Sequence, residues 1–256
     1  MITIITATHK PYRMPADSMY LPVQVGAAGR DSIGCQRDDE GLNISSLNPY
    51  YCELTGLYWG WKNLNSDYIG LAHYRRHFRG NKKGETPFDS VISEAEVEKL
   101  LQTTDVILPK KRRYYIESIK NHYAHTHYKE DLDKARDIIA KIYPDYLISF
   151  DKHMKSTSSH MFNMFIMKKE LADQYCEFLF SILKELQKQV NYRKYDAFQA
   201  RLFGRISELL LDVWINKNHI EYKEVPLISM EPVPWLKKGG AFLKAKFFGK
   251  KYEGSF

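Results

Sequence analysis

The sequence predicts an α/β domain, with a mostly parallel central sheet flanked by helices, and a short basic tail behind it. Three observations carry this expectation. Short apolar runs at residues 2–6, 67–72, 105–108 and 161–167 alternate with stretches of helical period at 93–102, 130–142, 169–186 and 198–216. The chain has 256 residues, of which 44% are hydrophobic and 27% charged, enough to bury one sizeable core and too ordinary for disorder. The formal net charge of +7 is concentrated at the end, where Lys237, Lys238, Lys244, Lys246, Lys250 and Lys251 lie among Leu236, Phe242, Leu243, Phe247 and Phe248. The boundaries follow: residues 1–228 form the domain and 229–256 the tail.

The first run, β-branched and stopped by Pro11, reads as a buried parallel strand feeding a loop with Thr8, His9, Lys10 and Tyr12. Ligands in α/β sheets sit beyond the carboxyl ends of strands, which makes this loop a candidate nucleotide contact. Asp38, Asn43 and Ser45 follow in a polar stretch suited to ribose or sugar hydroxyls. The same stretch, with Gly41, would serve equally as a solvated turn. Tyr51, Leu54, Tyr58 and Trp61 then recur at a spacing of three to four, predicting one amphipathic helix over 48–63 with Asn48 as N-cap and Pro49 in its first turn.

The run 67–72 reads as a central strand leading straight into His73, Tyr74, Arg75, Arg76 and His77. Two adjacent guanidiniums beside two imidazoles are costly at a strand end without an anionic partner, and arginine forks match diphosphate oxygens. A surface turn paired with local carboxylates is the alternative. A second basic patch, 110–113, follows Pro109.

His122, Tyr123, His125, His127 and Tyr128 lie close together, and the alternation of His125 and His127 would put those two on one face of a strand. No carboxylate or thiolate completes a zinc-ligand pattern, so no metal is expected here. An aromatic and imidazole surface for a sugar acceptor, or a plain exposed loop, are both open. Glu208 sits among Ile206, Leu209 and Leu210, where a partly buried carboxylate suits a general base, although a salt bridge to Arg205 or Arg201 would explain it too.

Cys35, Cys52 and Cys176 are odd in number and lack C-x-x-C spacing, which argues for a reducing compartment over a disulfide framework. The N-terminus opens directly into a strand pattern, so no signal peptide is expected, and no run approaches the ~20 apolar residues of a membrane span. A cytoplasmic protein follows. The lysine and aromatic tail from Trp235 to Phe256 suits an interfacial segment on anionic lipid, or a basic strap or disordered end.

The phrases NISSLNPYYCELTGLYWGWKN, DYIGLAHYRRHF, DVILPKKRRY, NMFIMKKE and RLFGRISELLLDVW, in this order, resemble the bacterial capsular and exopolysaccharide synthesis glycosyltransferases long filed as a domain of unknown function. The resemblance runs from residue 2 to about 226 and leaves the tail outside. It implies a GT-A-like fold and a UDP-sugar donor, with galactofuranose as the transferred sugar and a lipid-linked oligosaccharide as the acceptor. Together with the residues themselves it leads us to expect inverting transfer by an enzyme without a required cofactor, peripheral at the inner face of the cell membrane, where the basic tail would rest. The wider superfamily usually has a D-x-D metal motif where this chain has His73, Tyr74 and Arg75, so Arg75 and Arg76 are expected to replace the metal as diphosphate clamp. Glu208, within R-x-x-G-x-x-S-E-x-L, becomes the expected base. Glu53 in C-E-L-T joins Thr8, His9, Lys10, Tyr12, Asp38, Asn43, Ser45, His73 and Tyr74 on the donor side, and His160, Asn163 and Arg205 join His122, Tyr123 and His127 on the acceptor side. A polysaccharide-assembly scaffold without activity is the first alternative. A nucleic-acid-binding protein, suggested by the basic charge, has no motif behind it.

Overall fold

A computed structural model of the chain describes residues 1–232; the tail from 235 to 256, with the lipid contact expected there, lies outside the described residues. The elements in chain order are β1 (Ile2–Thr8), β2 (Tyr20–Gln24), β3 (Gln36–Arg37), α1 (Asn48–Tyr51), α2 (Leu54–Asn63), β4 (Tyr68–His73), β5 (Arg76–Phe78), α3 (Glu94–Leu101), β6 (Val106–Pro109) and β7 (Arg112–Arg113). They continue as α4 (Ile119–Thr126), α5 (Lys129–Ile142), α6 (Leu147–Lys155), β8 (Ser158–Ser159), β9 (Phe165–Lys168), α7 (Lys169–Gln189), α8 (Leu202–Lys217), β10 (Lys223–Val225) and β11 (Leu227–Ser229). The main sheet has the order β10-β6-β9-β4-β1-β2-β3, with β5 bonded to β4 and β11 to β5. Most pairs along it are parallel, as expected, but β9 runs antiparallel between β4 and β6.

The period of two in the strands sorts their side chains into two cores. Ile5, Ala7, Ile69, Leu71, Val106 and Phe165 face the side covered by α1, α2 and α4 to α8. Ile2, Ile4, Ala72, Ile107 and Ile166 face the side closed by α3 and by Met19, Phe78 and Ile92. The two glycines of α2 let the helix lie directly on the sheet. A Cβ on Gly60 would stand 2.2 Å from Ile5 Cδ1, and one on Gly56 2.8 Å from Val25 Cγ1.

Three predicted elements come out differently. The helix expected over 48–63 is broken at Cys52, whose φ of 55° is in the left-handed region, and Asn48 is inside the first turn of α1 instead of capping it. Its amide donates to Cys52 O at 2.7 Å and Thr55 Oγ1 at 3.2 Å, which holds the break together. The strand face expected around His122 to His127 is the helix α4, capped by Ser118, because Ile119, Tyr123 and Thr126 bury at helical spacing. The strand expected over 161–167 begins only at Phe165; Phe162 and Asn163 before it have φ of 74° and 55°.

Helix α8 is fixed by a buried polar hub. Asp212 is wholly buried, and its Oδ2 accepts from Ser159 Oγ at 2.9 Å and from the His160 backbone N–H at 2.8 Å. Its Oδ1 meets His160 Nδ1 at 2.7 Å and Lys111 Nζ at 3.5 Å, while His160 Nε2 meets Glu224 Oε1 at 3.1 Å. Burial pushes the Asp212 carboxyl up, but His160, His153 and Lys111 outweigh it and hold the group well below the usual carboxylate range. The stability it contributes is therefore present above that range and lost as pH falls through and below it. Asp212→Asn, which leaves these donors facing an amide, should lower stability by about 3–5 kcal/mol in urea denaturation at neutral pH. The variant should also lose less further stability than the parent on acidification.

Candidate active site

The carboxyl ends of β1, β4 and β6 and the amino end of antiparallel β9 meet at one edge of the sheet, and the chain's cationic and acidic candidates converge there. At the end of β1, Thr8 Oγ1 donates to Lys10 O at 2.7 Å and turns the chain. The His9 and Tyr12 rings stand edge-on to the buried Tyr74, with centroids 5.3 and 4.9 Å away. Lys10 Nζ and the Arg75 guanidinium lie 5.6 and 5.1 Å from the same ring. Tyr12 Oη donates to Glu231 at 3.1 Å, and Arg75 pairs with the other Glu231 oxygen at 3.3 Å. His9 is held below the usual imidazole range by partial desolvation and by Lys10, Arg75, Arg30 and Arg201, which marks this wall as cationic.

The inner wall carries two carboxylates. Asn163 Nδ2 donates to Glu53 Oε1 at 2.6 Å and to Gly204 O at 3.0 Å, and Ser207 Oγ donates to Asn163 Oδ1, tying the end of α1, the start of α8 and the approach to β9 together. His73 Nε2 lies 2.6 Å from Phe162 O and secures the same loop. Glu208 stands one helical turn beyond Gly204, densely surrounded yet in partial contact with solvent, as a group at the floor of a cleft would be. Among the described residues it has neither a hydrogen bond nor an ion pair. Desolvation first and the charge of Glu53 second push its carboxyl up to about 7, against the opposing pull of Arg205, Arg112 and Arg76.

The arginines around it are bound elsewhere. Arg201 Nε donates to Cys52 Sγ at 3.1 Å. Arg205 Nη1 lies 3.1 Å from His127 Nδ1, with its guanidinium 3.9 Å from the Phe198 ring centre. The Arg205 pKa falls to about 10, through desolvation and then Arg201. Arg76 lies 4.4 Å over the Phe162 ring, and its desolvation, with Arg75 beside it, lowers its pKa. The salt bridge from Glu208 to Arg205 or Arg201 is therefore not formed. The result is an unpaired carboxylate among a surplus of guanidiniums, suited to an anion with a hydroxyl beside it.

Of the donor-side candidates, Thr8, His9, Lys10, Tyr12, Tyr74 and Arg75 gather on one wall, while Glu53, His73 and Arg76 are in the inner one. Asp38 and Ser45 lie deeper and are otherwise occupied. Asp38 is wholly buried and accepts from the N–H groups of Gly26 and Ala27 at 2.8 and 3.0 Å, as well as from Ser45 Oγ. Asn43 closes its own turn onto Asp39 O and Gly41 O, both at 2.9 Å. These three build the turn that the sequence also allowed. On the acceptor side, His127, Asn163 and Arg205 line the inner wall, with Asn163 acting on Glu53. His122 and His125, one turn apart on α4, share the buried Glu117 at 2.8 and 2.9 Å. Tyr123 packs in the core, and His160, wholly enclosed in the Asp212 hub, has no face left for a ligand. Arg30 and Phe162 were not predicted for the site; Arg30 lies in an ordinary loop sequence, and Phe162 only matters through its left-handed backbone.

The position where a D-x-D motif would stand holds His73, bonded to a carbonyl, Tyr74, packed between rings, and the cation Arg75. This donor set does not fit a divalent ion, and among the described residues no three His, Cys, Asp or Glu groups are arranged to hold one. Among the same residues no helix is long and apolar enough to cross a membrane.

A solved apo structure of WbbM, a bifunctional glycosyltransferase, shares this architecture with a TM-score of 0.84 at 30% identity. The match covers 90% of this chain and 45% of that one, so this chain spans less than half the length of that relative. No curated protein matches. Residues 3–219, from the first strand to just past α8, match the family described as a domain of unknown function (DUF4422), and the chain belongs to that family.

Proposed function

We propose that the chain is a glycosyltransferase that moves a sugar from a UDP-sugar to a lipid-linked oligosaccharide in capsule, exopolysaccharide or O-antigen synthesis. The observation that carries this reading is Glu208: a carboxylate with no hydrogen-bond or ion-pair partner among the described residues and a pKa near 7, set among guanidiniums at the carboxyl edge of the sheet. The likeness to the bifunctional glycosyltransferase WbbM supports the reaction class. Galactofuranose is our choice of sugar and rests on the family resemblance. The enzyme acts at the cytoplasmic face of the cell membrane.

The reaction is inverting. An acceptor hydroxyl gives its proton to Glu208 as its oxygen bonds to the donor anomeric carbon. The bond from that carbon to the UDP oxygen breaks on the opposite side, and the electron pair leaves with the diphosphate. Arg76 and Arg75 meet the charge that develops there, Arg75 by exchanging Glu231 for phosphate oxygens. His9, Lys10 and Tyr12 hold the nucleotide, and Arg205 and His127 face the acceptor. A base with a pKa near the working pH combines availability with proton affinity.

UDP release from a panel of UDP-sugars should identify one donor whose turnover survives EDTA; loss in chelator with rescue by Mn²⁺ or Mg²⁺ would overturn the arginine clamp. Glu208→Gln should lower kcat by roughly 10²–10⁴-fold while UDP binding is kept. The rate should climb with pH through an acidic limb near 7, as Glu208 deprotonates. In Glu53→Gln that limb should move to lower pH, since a like charge is removed; an unmoved limb would assign the titration to another group.

A further inference from the structure

Residues 110–118 form a lip beside the cleft and expose two large adjacent side chains: Tyr115 is 82% exposed and Ile116 62%. The base of this lip is fixed. The buried Tyr114 donates its N–H to Thr157 O at 2.8 Å, and Ile119 donates to Ser156 O at 2.9 Å. Glu117, also buried, binds His122 and His125 at 2.8 and 2.9 Å, and Ser118 caps α4. At the tip, Tyr115 has a φ of 54°, in the left-handed region that costs a bulky residue on the order of 1 kcal/mol. A strained turn on a rigid base thus presents these side chains to solvent.

Scattered exposed apolar residues need no explanation, but this pair is flanked by charge of one sign. Lys110, Arg112, Arg113 and Lys120 are exposed, and Arg113 has no ion pair among the described residues. Lys152 and Lys155 are exposed on α6, which packs on α4. The neighbouring carboxylates are engaged, Glu117 by the two histidines and Asp151 by both Nε and Nη2 of Arg136 at 2.7 Å. A tyrosine and an isoleucine within a cationic rim match the boundary of an anionic bilayer, where an amphipathic ring sits at headgroup depth and lysine or arginine meets phosphate.

We propose that this lip is a membrane-docking element, with Tyr115 and Ile116 entering the headgroup region and Arg113 and Lys120 meeting lipid phosphates. Tyr114 and Arg112, within electrostatic reach of Glu208, join the lip to the cleft. The purpose of this device rests on the lipid-linked acceptor proposed above; the contact itself does not.

The test is co-flotation of the full chain with vesicles of equal parts phosphatidylcholine and phosphatidylglycerol, and with pure phosphatidylcholine. The expected result is binding to the anionic vesicles only, weakened at least about tenfold by Tyr115→Ser with Ile116→Ser. Arg113→Ala with Lys120→Ala should weaken it by a similar factor. Tyr115→Trp should tighten it several-fold, a gain that a merely structural role would not give. Donor hydrolysis without acceptor should stay unchanged in the Tyr115 and Ile116 variants, so a failed docking proposal is separable from a failed enzyme reading. Unchanged flotation of the serine variant would overturn the proposal. Unchanged flotation with a raised acceptor KM would assign Tyr115 to sugar stacking instead.

Discussion

The hydrogen-bonded carboxylate of Asp212 is the constraint on which the site depends. Twelve of the sixteen residues of α8 are buried, so the helix must be threaded through the core, and the one buried charge on it has to be matched. Ser159, His160 and Lys111 do this from two other segments of the chain, which fixes both the rotation and the depth of the helix. Glu208 is four residues earlier and thus on the same face. Where it projects is decided at Asp212.

Two carboxylates on adjacent turns of one helix have therefore been given opposite environments. Asp212 is surrounded by donors and stays ionised far into the acid range. Glu208 is desolvated beside another acid, with its cations at a distance and bound to Cys52, His127, Phe198 and Phe162. The protein could have satisfied Glu208 from the arginines it places nearby, but their own packing holds them back. Such withheld pairing costs stability and is what sites of proton transfer exhibit.

Much of the fold was legible because it follows from periodicity. The alternation in β1 and the spacing of apolar residues in α5 and α7 depend on local sequence alone. The antiparallel direction of β9 was not, since a short buried strand reads the same either way. The break at Cys52 was hidden because the residue types on both sides fit one helix, and only tertiary bonds to Asn48 and Arg201 show why the chain turns there. The histidines of 122–127 misled because alternation in sequence was visible, while the burial of Ile119 and Tyr123 that makes the segment helical was not. At the site, residue chemistry put the two arginines after Tyr74 at a strand end, where they lie, but it left Glu208 open between a base and a salt bridge to Arg205 or Arg201. Asp38 and His160 were not legible, because whether a polar side chain faces a ligand or another buried group depends on partners distant in the chain.

The glycine contact under α2 carries a further consequence. Glu53 sits immediately ahead of the first turn of that helix, and the helix lies so close to the sheet at Gly60 that a Cβ there would stand 2.2 Å from Ile5 Cδ1 and displace it. The helix is in effect a lever arm with its fulcrum at Ile5. A bulge of a few tenths of an ångström there would tilt the far end and open the hydrogen bond to Asn163, so the mutual spacing of the two acidic groups is gauged by a contact on the opposite end of the helix, where no reactant ever comes.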